Sequence, residues 1–268
     1  MPPTFLLIFS LIEILNYNDH RLLQRTQIQD VSPINTTQVQ TQDSPQVQDQ
    51  RRVKAQPIFN QTDIVKNWDL ELHNIKEFFQ YVETPSRICN HSEVFGGIHG
   101  IWKKVPIFDG DKVICFDKEF DINPKKCLVY SFGINNEWSF DDALARFGCT
   151  IYAFDPTMNV KSHKRGARIH FYNIGIGNKD GTVLINRNPS KVMRFTSLMK
   201  LLGHLEDDVK IDYLKMDVEG AEIPFLEDVL QNSPHILQRI KQIGMEIHVG
   251  RYTPSRMNIF KKNYNLFK

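Results

Sequence analysis

From Cys127 to Val249 short apolar runs alternate with amphipathic stretches, and this alternation restricts the chain to very few architectures. Cys127 to Phe132, Cys149 to Phe154, Arg168 to Tyr172, Thr182 to Ile185, Ile211 to Met216 and Ile243 to Val249 read as strands. Phe140 to Phe147, Phe195 to Leu202 and Ala221 to Leu230 read as helices between them. In the last of these, Ile223, Leu226, Val229 and Leu230 share one face. Ser139 with Asp142 makes a capping-box-like start to the first helix, and Gly148 closes it. Strands alternating with helices form βαβ units, so the expected fold class is α/β: a Rossmann-like, mainly parallel sheet with helices on both faces.

The rest of the chain reads as attachments to that domain. With 268 residues, 41% of them hydrophobic, one sizeable core is affordable and a second is not. Residues 1–23 form a hydrophobic N-terminus; its run from Phe5 to Ile12 is too short for a comfortable membrane span and fits a signal-peptide core or an anchor, although a basic start is missing. Residues 24–58 hold ten glutamines between Gln24 and Gln56 and no aromatic residue before Phe59, the composition of a disordered linker. The domain is assigned to residues 59–268, opening with a helix from Asp63 to Val82 that carries Trp68, Leu72, Ile75, Phe78 and Phe79 at helical spacing.

Sequons at Asn35, Asn60 and Asn90 fit a secreted or secretory-pathway chain, in which the four cysteines permit two disulfides. Cys127 and Cys149 both open strands that can be neighbours. No CxxC pair is present, which argues against a zinc site, and a net charge of +2 with dispersed Lys and Arg argues against a nucleic-acid partner.

Three carboxylates crowd the end of the strand Ile211 to Met216: Asp217, Glu219 and Glu222 flank Gly220 where the strand turns into a helix. In open α/β folds ligands bind at that edge. Two further strand ends match it. The first runs into Gly133, Asn135 and Glu137, where glycine permits close approach of a ligand. The second ends in Asp155-Pro156, an acid placed either to accept hydrogen bonds from a ribose or simply to start a helix. No GxGxxG is present, since Glu137 and Trp138 stand where a dinucleotide site needs glycines, which disfavours an NAD-dependent oxidoreductase. A nucleoside bearing a positive sulfonium suits these acids better.

Val129 to Gly133, Glu137 to Phe140, Tyr152 to Pro156, Lys215 to Glu222 and Glu246 to His248 together resemble the FkbM-like class I methyltransferases, nearest to their animal methyltransferase-like members. The resemblance covers roughly Ser86 to Val249. It implies S-adenosylmethionine as methyl donor, with Gly133, Asn135 and Glu137 lining its pocket, Asp155 on the ribose, and Asp217 facing the reacting groups. Ser131 departs from the acid usual in the first motif and Glu137 from its last glycine. The sheet of that class continues with an antiparallel pair, for which Arg251 to Lys268 leaves no room, so the C-terminal strands look absent: either the sequence is truncated or the last strand is an open edge.

Methyl transfer requires positioning and the removal of one proton. His248 is the expected proton acceptor, with Glu246 two residues earlier on the same side of the strand. Asp217, Glu219 and Glu246 with His248 have an alternative use as divalent-cation ligands, and His248 as a core histidine held by a carboxylate. The expected activity is an S-adenosylmethionine-dependent methyltransferase acting on an unidentified acceptor, with a glycan or secretory-pathway substrate favoured by location. The alternative is an inactive Rossmann-like binding module. Membrane contact is expected only through the N-terminus.

Overall fold

The computed structural model describes residues 6–8, 73–74, 76–78, 81, 89–102, 105–205, 209–248 and 257–267. The glutamine-rich linker and the sequons at Asn35 and Asn60 lie outside them. In chain order the strands begin with β1 (Leu6–Ile8), β2 (Ser92–Phe95), β3 (Ile98–Trp102), β4 (Val105–Asp109) and β5 (Lys112–Cys115). The regular part follows with β6 (Leu128–Phe132), α1 (Ser139–Phe147), β7 (Thr150–Phe154), β8 (His163–Arg165) and β9 (Ile169–Tyr172). After the short β10 (Gly175–Ile176), β11 (Gly181–Ile185) and β12 (Asn188–Met193) come α2 (Phe195–Leu201), β13 (Tyr213–Met216), α3 (Glu222–Asn232), β14 (Gln242–Met245) and α4 (Met257–Phe267).

The main sheet has the order β1-β14-β13-β6-β7-β9-β8, parallel at every pairing except β8 with β9. From β6 the chain steps outward through β7 to β9, then returns to the other side of β6 for β13 and β14. The order therefore reverses between β6 and β13, which makes the crevice at their carboxyl ends the topological switch point.

Alternation along β6 and β13 divides the core into two layers. Tyr130, Phe132, Leu214 and Met216 face a layer with Phe195 and Leu198 of α2, Phe225 and Val229 of α3, and Phe260 of α4. Val129 and Tyr213 face the opposite layer with Phe140 and Leu144 of α1. Helices on both faces explain why these strands are buried on both sides and read as apolar runs. Phe78 and Tyr81, in the segment expected to be helical from Asp63 to Val82, pack edge-on against Phe260 and Tyr264.

Buried polar side chains tie the N-terminal strands to the sheet. The Gln242 amide makes both hydrogen bonds to the Cys115 backbone, accepting from its N–H at 2.8 Å and donating to its carbonyl at 2.7 Å. The Tyr213 hydroxyl donates to the Val113 carbonyl at 3.0 Å, and Gly244 leaves room for it, since a Cβ there would overlap that hydroxyl. Cys115 is further bonded to Cys89, and Cys127 to Cys149, so the second pair does join the starts of neighbouring strands.

Several sequence expectations change. Ser139 does not cap α1: no side chain bonds the start of the helix from the cap position, and the Ser139 hydroxyl instead accepts the Gly97 N–H at 2.7 Å. Leu230 is exposed, and Phe225 takes its place on the buried face of α3. The charged stretch around Lys164, which no apolar pattern marks in the sequence, forms strand β8, where Arg165 lies over the Trp138 ring and pairs with Asp142 at 2.8 Å. The last strand stops at Met245 rather than Val249. Its outer edge is not open, because β1 from the apolar N-terminus pairs with it in parallel, Leu7 opposite Ile243. Among the described residues no helix is long and apolar enough to cross a membrane.

Candidate active site

The loops after β6 and β13 meet at the switch point. Gly133 has φ +78°, and its α-carbon lies so close to the Asp217 carbonyl oxygen that a Cβ would overlap it. A left-handed glycine is thus what allows the two strand ends to touch. Beyond it Asn135 and Asn136 also have positive φ, 44° and 62°. Asparagine tolerates that region better than most residues.

Asp155 fixes this loop from the end of β7. One of its oxygens accepts the N–H groups of Ile134 at 2.9 Å and Asn135 at 2.8 Å; the other accepts the N–H and hydroxyl of Thr157 at 2.7 and 2.6 Å. Four bonds fill the usual acceptor positions of a carboxylate, and the side chain is buried. The residue expected to hold a ribose is therefore the anchor of the Gly133 loop, and ribose hydroxyls have to compete with its present donors. Glu137 accepts the Ser139 N–H at 2.6 Å, placing its charge at the N-terminus of α1, where the helix dipole favours an anion. Asn135 is exposed at the rim.

Sequence reasoning missed the buried ion beneath this loop. Lys215, 3% exposed on β13, donates from Nζ to the Gly133 carbonyl at 2.7 Å. Its register partner on β6 is Ser131, and both lie under α1, which contributes the fully buried Asp141. Neither Asp141 oxygen nor the Ser131 hydroxyl has a hydrogen-bond partner of good geometry. Burial pushes the Asp141 carboxyl up to about 6; the Lys215 ammonium and nearby Ser131 pull it back only partly, while Glu137 pushes further. A lysine inside an otherwise apolar strand was the signal available in the sequence, since such a charge needs a partner.

On the other side of Asp217, Glu222 at the start of α3 is fully buried. It accepts the N–H groups of Val218 at 3.0 Å and Gly220 at 2.8 Å and shapes the turn between β13 and α3, in which Glu219 has φ +53°. Its Oε1 also lies 2.8 Å from Nδ1 of His248. The opposite ring nitrogen, Nε2, is 3.7 Å from both Glu219 and Glu246. Burial alone would lower the His248 pKa, but Glu222 foremost, then Glu219 and Glu246, raise it to about 9. The surrounding acids thus favour the protonated form of His248, which departs from the simple proton acceptor that the sequence suggested. Asp217, Glu246 and His248 are brought together, each offering an atom within 4.8 Å of the others.

A family model described as a methyltransferase domain matches residues 42–267. The chain belongs to this methyltransferase-domain family. A human protein named "Probable methyltransferase-like protein 24" is 26% identical over 185 residues, covering 64% of this chain and 46% of that protein. The rat protein of the same name is 28% identical over 144 residues, covering 51% of this chain and 38% of its own. The chain spans less than half the length of these curated relatives. No solved structure matches. The methyltransferase domain thus places its glycine loop, its buried lysine and its acid-histidine group at one edge of one sheet.

Proposed function

We propose that the chain is an S-adenosylmethionine-dependent methyltransferase. The observation that carries this reading is the contact of Gly133 with Asp217 at the switch point, which brings the glycine loop against the group of Asp217, Glu246 and His248 within a methyltransferase-family domain. The acids Glu137, Asp155 and Asp217 around the crevice fit a cationic sulfonium nucleoside and would repel a pyrophosphate. Gly133 and Asn135 would line the donor pocket and Glu137 would face its cationic end. An acceptor oxygen or nitrogen forms its bond to the methyl carbon as the carbon–sulfur bond breaks, the electron pair returning to sulfur to leave a neutral thioether. The acceptor's proton leaves to the group formed by Asp217, Glu246 and His248. The protein's part is to hold the partners in line and exclude water.

Two disulfides support placement in the secretory pathway, where a glycan or a secreted protein is the acceptor class within reach. One observation favours a second reading, a binding module without turnover: the acceptor capacity of Asp155 is already filled by the protein. Calorimetric titration with S-adenosylmethionine and S-adenosylhomocysteine tests the proposal. One-to-one binding of both is expected, and folded protein that gives no heat at millimolar ligand overturns it.

A further inference from the structure

We propose that Asp217, Glu246 and His248 form a divalent-cation site at the carboxyl edge of the sheet. The set is one nitrogen and two carboxylates, drawn from the ends of adjacent parallel strands, with candidate ligand atoms within 4.8 Å of one another. Around a cation with bonds of about 2.0–2.2 Å, neighbouring ligands sit roughly 3–4 Å apart. The 3.7 Å between His248 Nε2 and Glu246 Oε1 falls in that interval and is too long for a hydrogen bond.

The orientation of two of the three ligands is set from behind. Glu222, fully buried and anchored by two backbone N–H groups, holds His248 through Nδ1 and leaves Nε2 turned toward Glu246. A carboxylate behind a histidine is the common support of a metal-bound imidazole, fixing its tautomer and ring plane. Glu246 divides its oxygens in the same way. Lys112, itself 3% exposed, lies 3.7 Å from Oε2, while Oε1 faces His248. That arrangement suits a single-oxygen ligand. Asp217 joins them from the turn whose backbone touches Gly133, so the cation would lie next to the loop assigned to the methyl donor.

The mixed oxygen and nitrogen set is suited to Mn2+ and less so to the oxygen-only preference of Ca2+. Its role deepens the methyltransferase reading and rests on it: with the cation bound, Asp217, Glu246 and His248 serve as its ligands instead of taking the proton themselves, and a hydroxyl of the acceptor placed on the cation loses its proton to water more readily, so the acceptor class would be a hydroxyl, as on a sugar, rather than an amine. Binding of the cation does not depend on that reading.

The test uses the full chain with its disulfides intact and Mn2+ as the probe, by calorimetry and by loss of the free-ion electron paramagnetic resonance signal. The expected result is one Mn2+ per chain, weakened at least tenfold in Asp217→Asn and in Glu246→Gln but not in Glu227→Gln, a residue that lies outside the set and pairs with Lys262 at 2.6 Å. Circular dichroism confirms that each variant is folded, and either of the two site variants suffices. Folded wild-type protein that takes up no Mn2+ at millimolar concentration, or uptake unchanged in the folded site variants, overturns the site. S-adenosylmethionine titrated separately into metal-free protein reports on the donor pocket alone, so failure of the cation site and failure of the methyltransferase reading are distinguishable.

Discussion

Replacing Gly133 with alanine perturbs the contact on which the whole crevice depends, and the structure contains its own control. Gly133 has φ +78° and its Cβ would run into the Asp217 backbone carbonyl; Gly166 has a nearly equal φ of +72° and nothing within 4 Å of its Cβ position. Alanine at either site meets the same left-handed strain, about 1–2 kcal/mol. Only Gly133→Ala adds overlap with a backbone atom, which no rotamer can relieve, and which adds about 1–3 kcal/mol by analogy with overpacked cores. Gly133→Ala is therefore expected to lose roughly 3 kcal/mol and Gly166→Ala about half of that. With a urea slope of about 2 kcal/mol/M, the midpoint falls about 1.5 M in the first variant and well under 1 M in the second. Urea titrations followed by tryptophan fluorescence, with the disulfides kept oxidised, measure both. Equal midpoint shifts in the two variants would refute the claim that the strand ends touch through a glycine.

Two other outcomes follow from buried groups. The folded-state pKa of Asp141 is raised from 3.8 to about 6, so the native state binds its proton more tightly than the unfolded chain, and stability falls as pH rises from about 4 to 6. A shift of about two units corresponds to roughly 3 kcal/mol, present below pH 4 and lost above pH 6. Stability curves of wild type minus Asp141→Asn isolate this term from other carboxylates, and a difference that stays flat between pH 4 and 6 contradicts it. Removing the Cys127–Cys149 bond, which closes a loop with a sequence separation of 22, by a double change to serine is expected to lower stability by about 3 kcal/mol, measured by thermal or urea unfolding. An unchanged midpoint would mean that the bond constrains neither state.

Much of the sheet was legible because its strands are buried on both faces. Such strands have to be continuous apolar runs, and those from Cys127 to Met216 read as such. Strands β8 and β12 were not legible for the same reason inverted. His163–Arg165 is wholly exposed, and β12 buries only Ser190 and Val192 behind Pro189, so neither carries the apolar run that makes a strand visible in sequence. The functional residues followed a similar division. Gly133, Asp155 and Asp217 were found at strand ends, but what Asp155 bonds to depends on where the Gly133 loop folds back, a fact about two segments 20 and more residues apart.

The sequence by itself determined the alternating architecture, the glycine and acids at the strand ends, and the membership of the methyltransferase-domain family, because hydrophobic period and motif spacing are local properties. Tertiary structure alone decided the partners. It placed Lys215 under the Gly133 carbonyl, left Asp141 buried without a hydrogen bond of good geometry, and turned His248 on Glu222 toward Glu246. Those outcomes depend on distances between residues far apart in the chain and on the removal of water around them, and a charge acquires its protonation state and its use only when both are fixed.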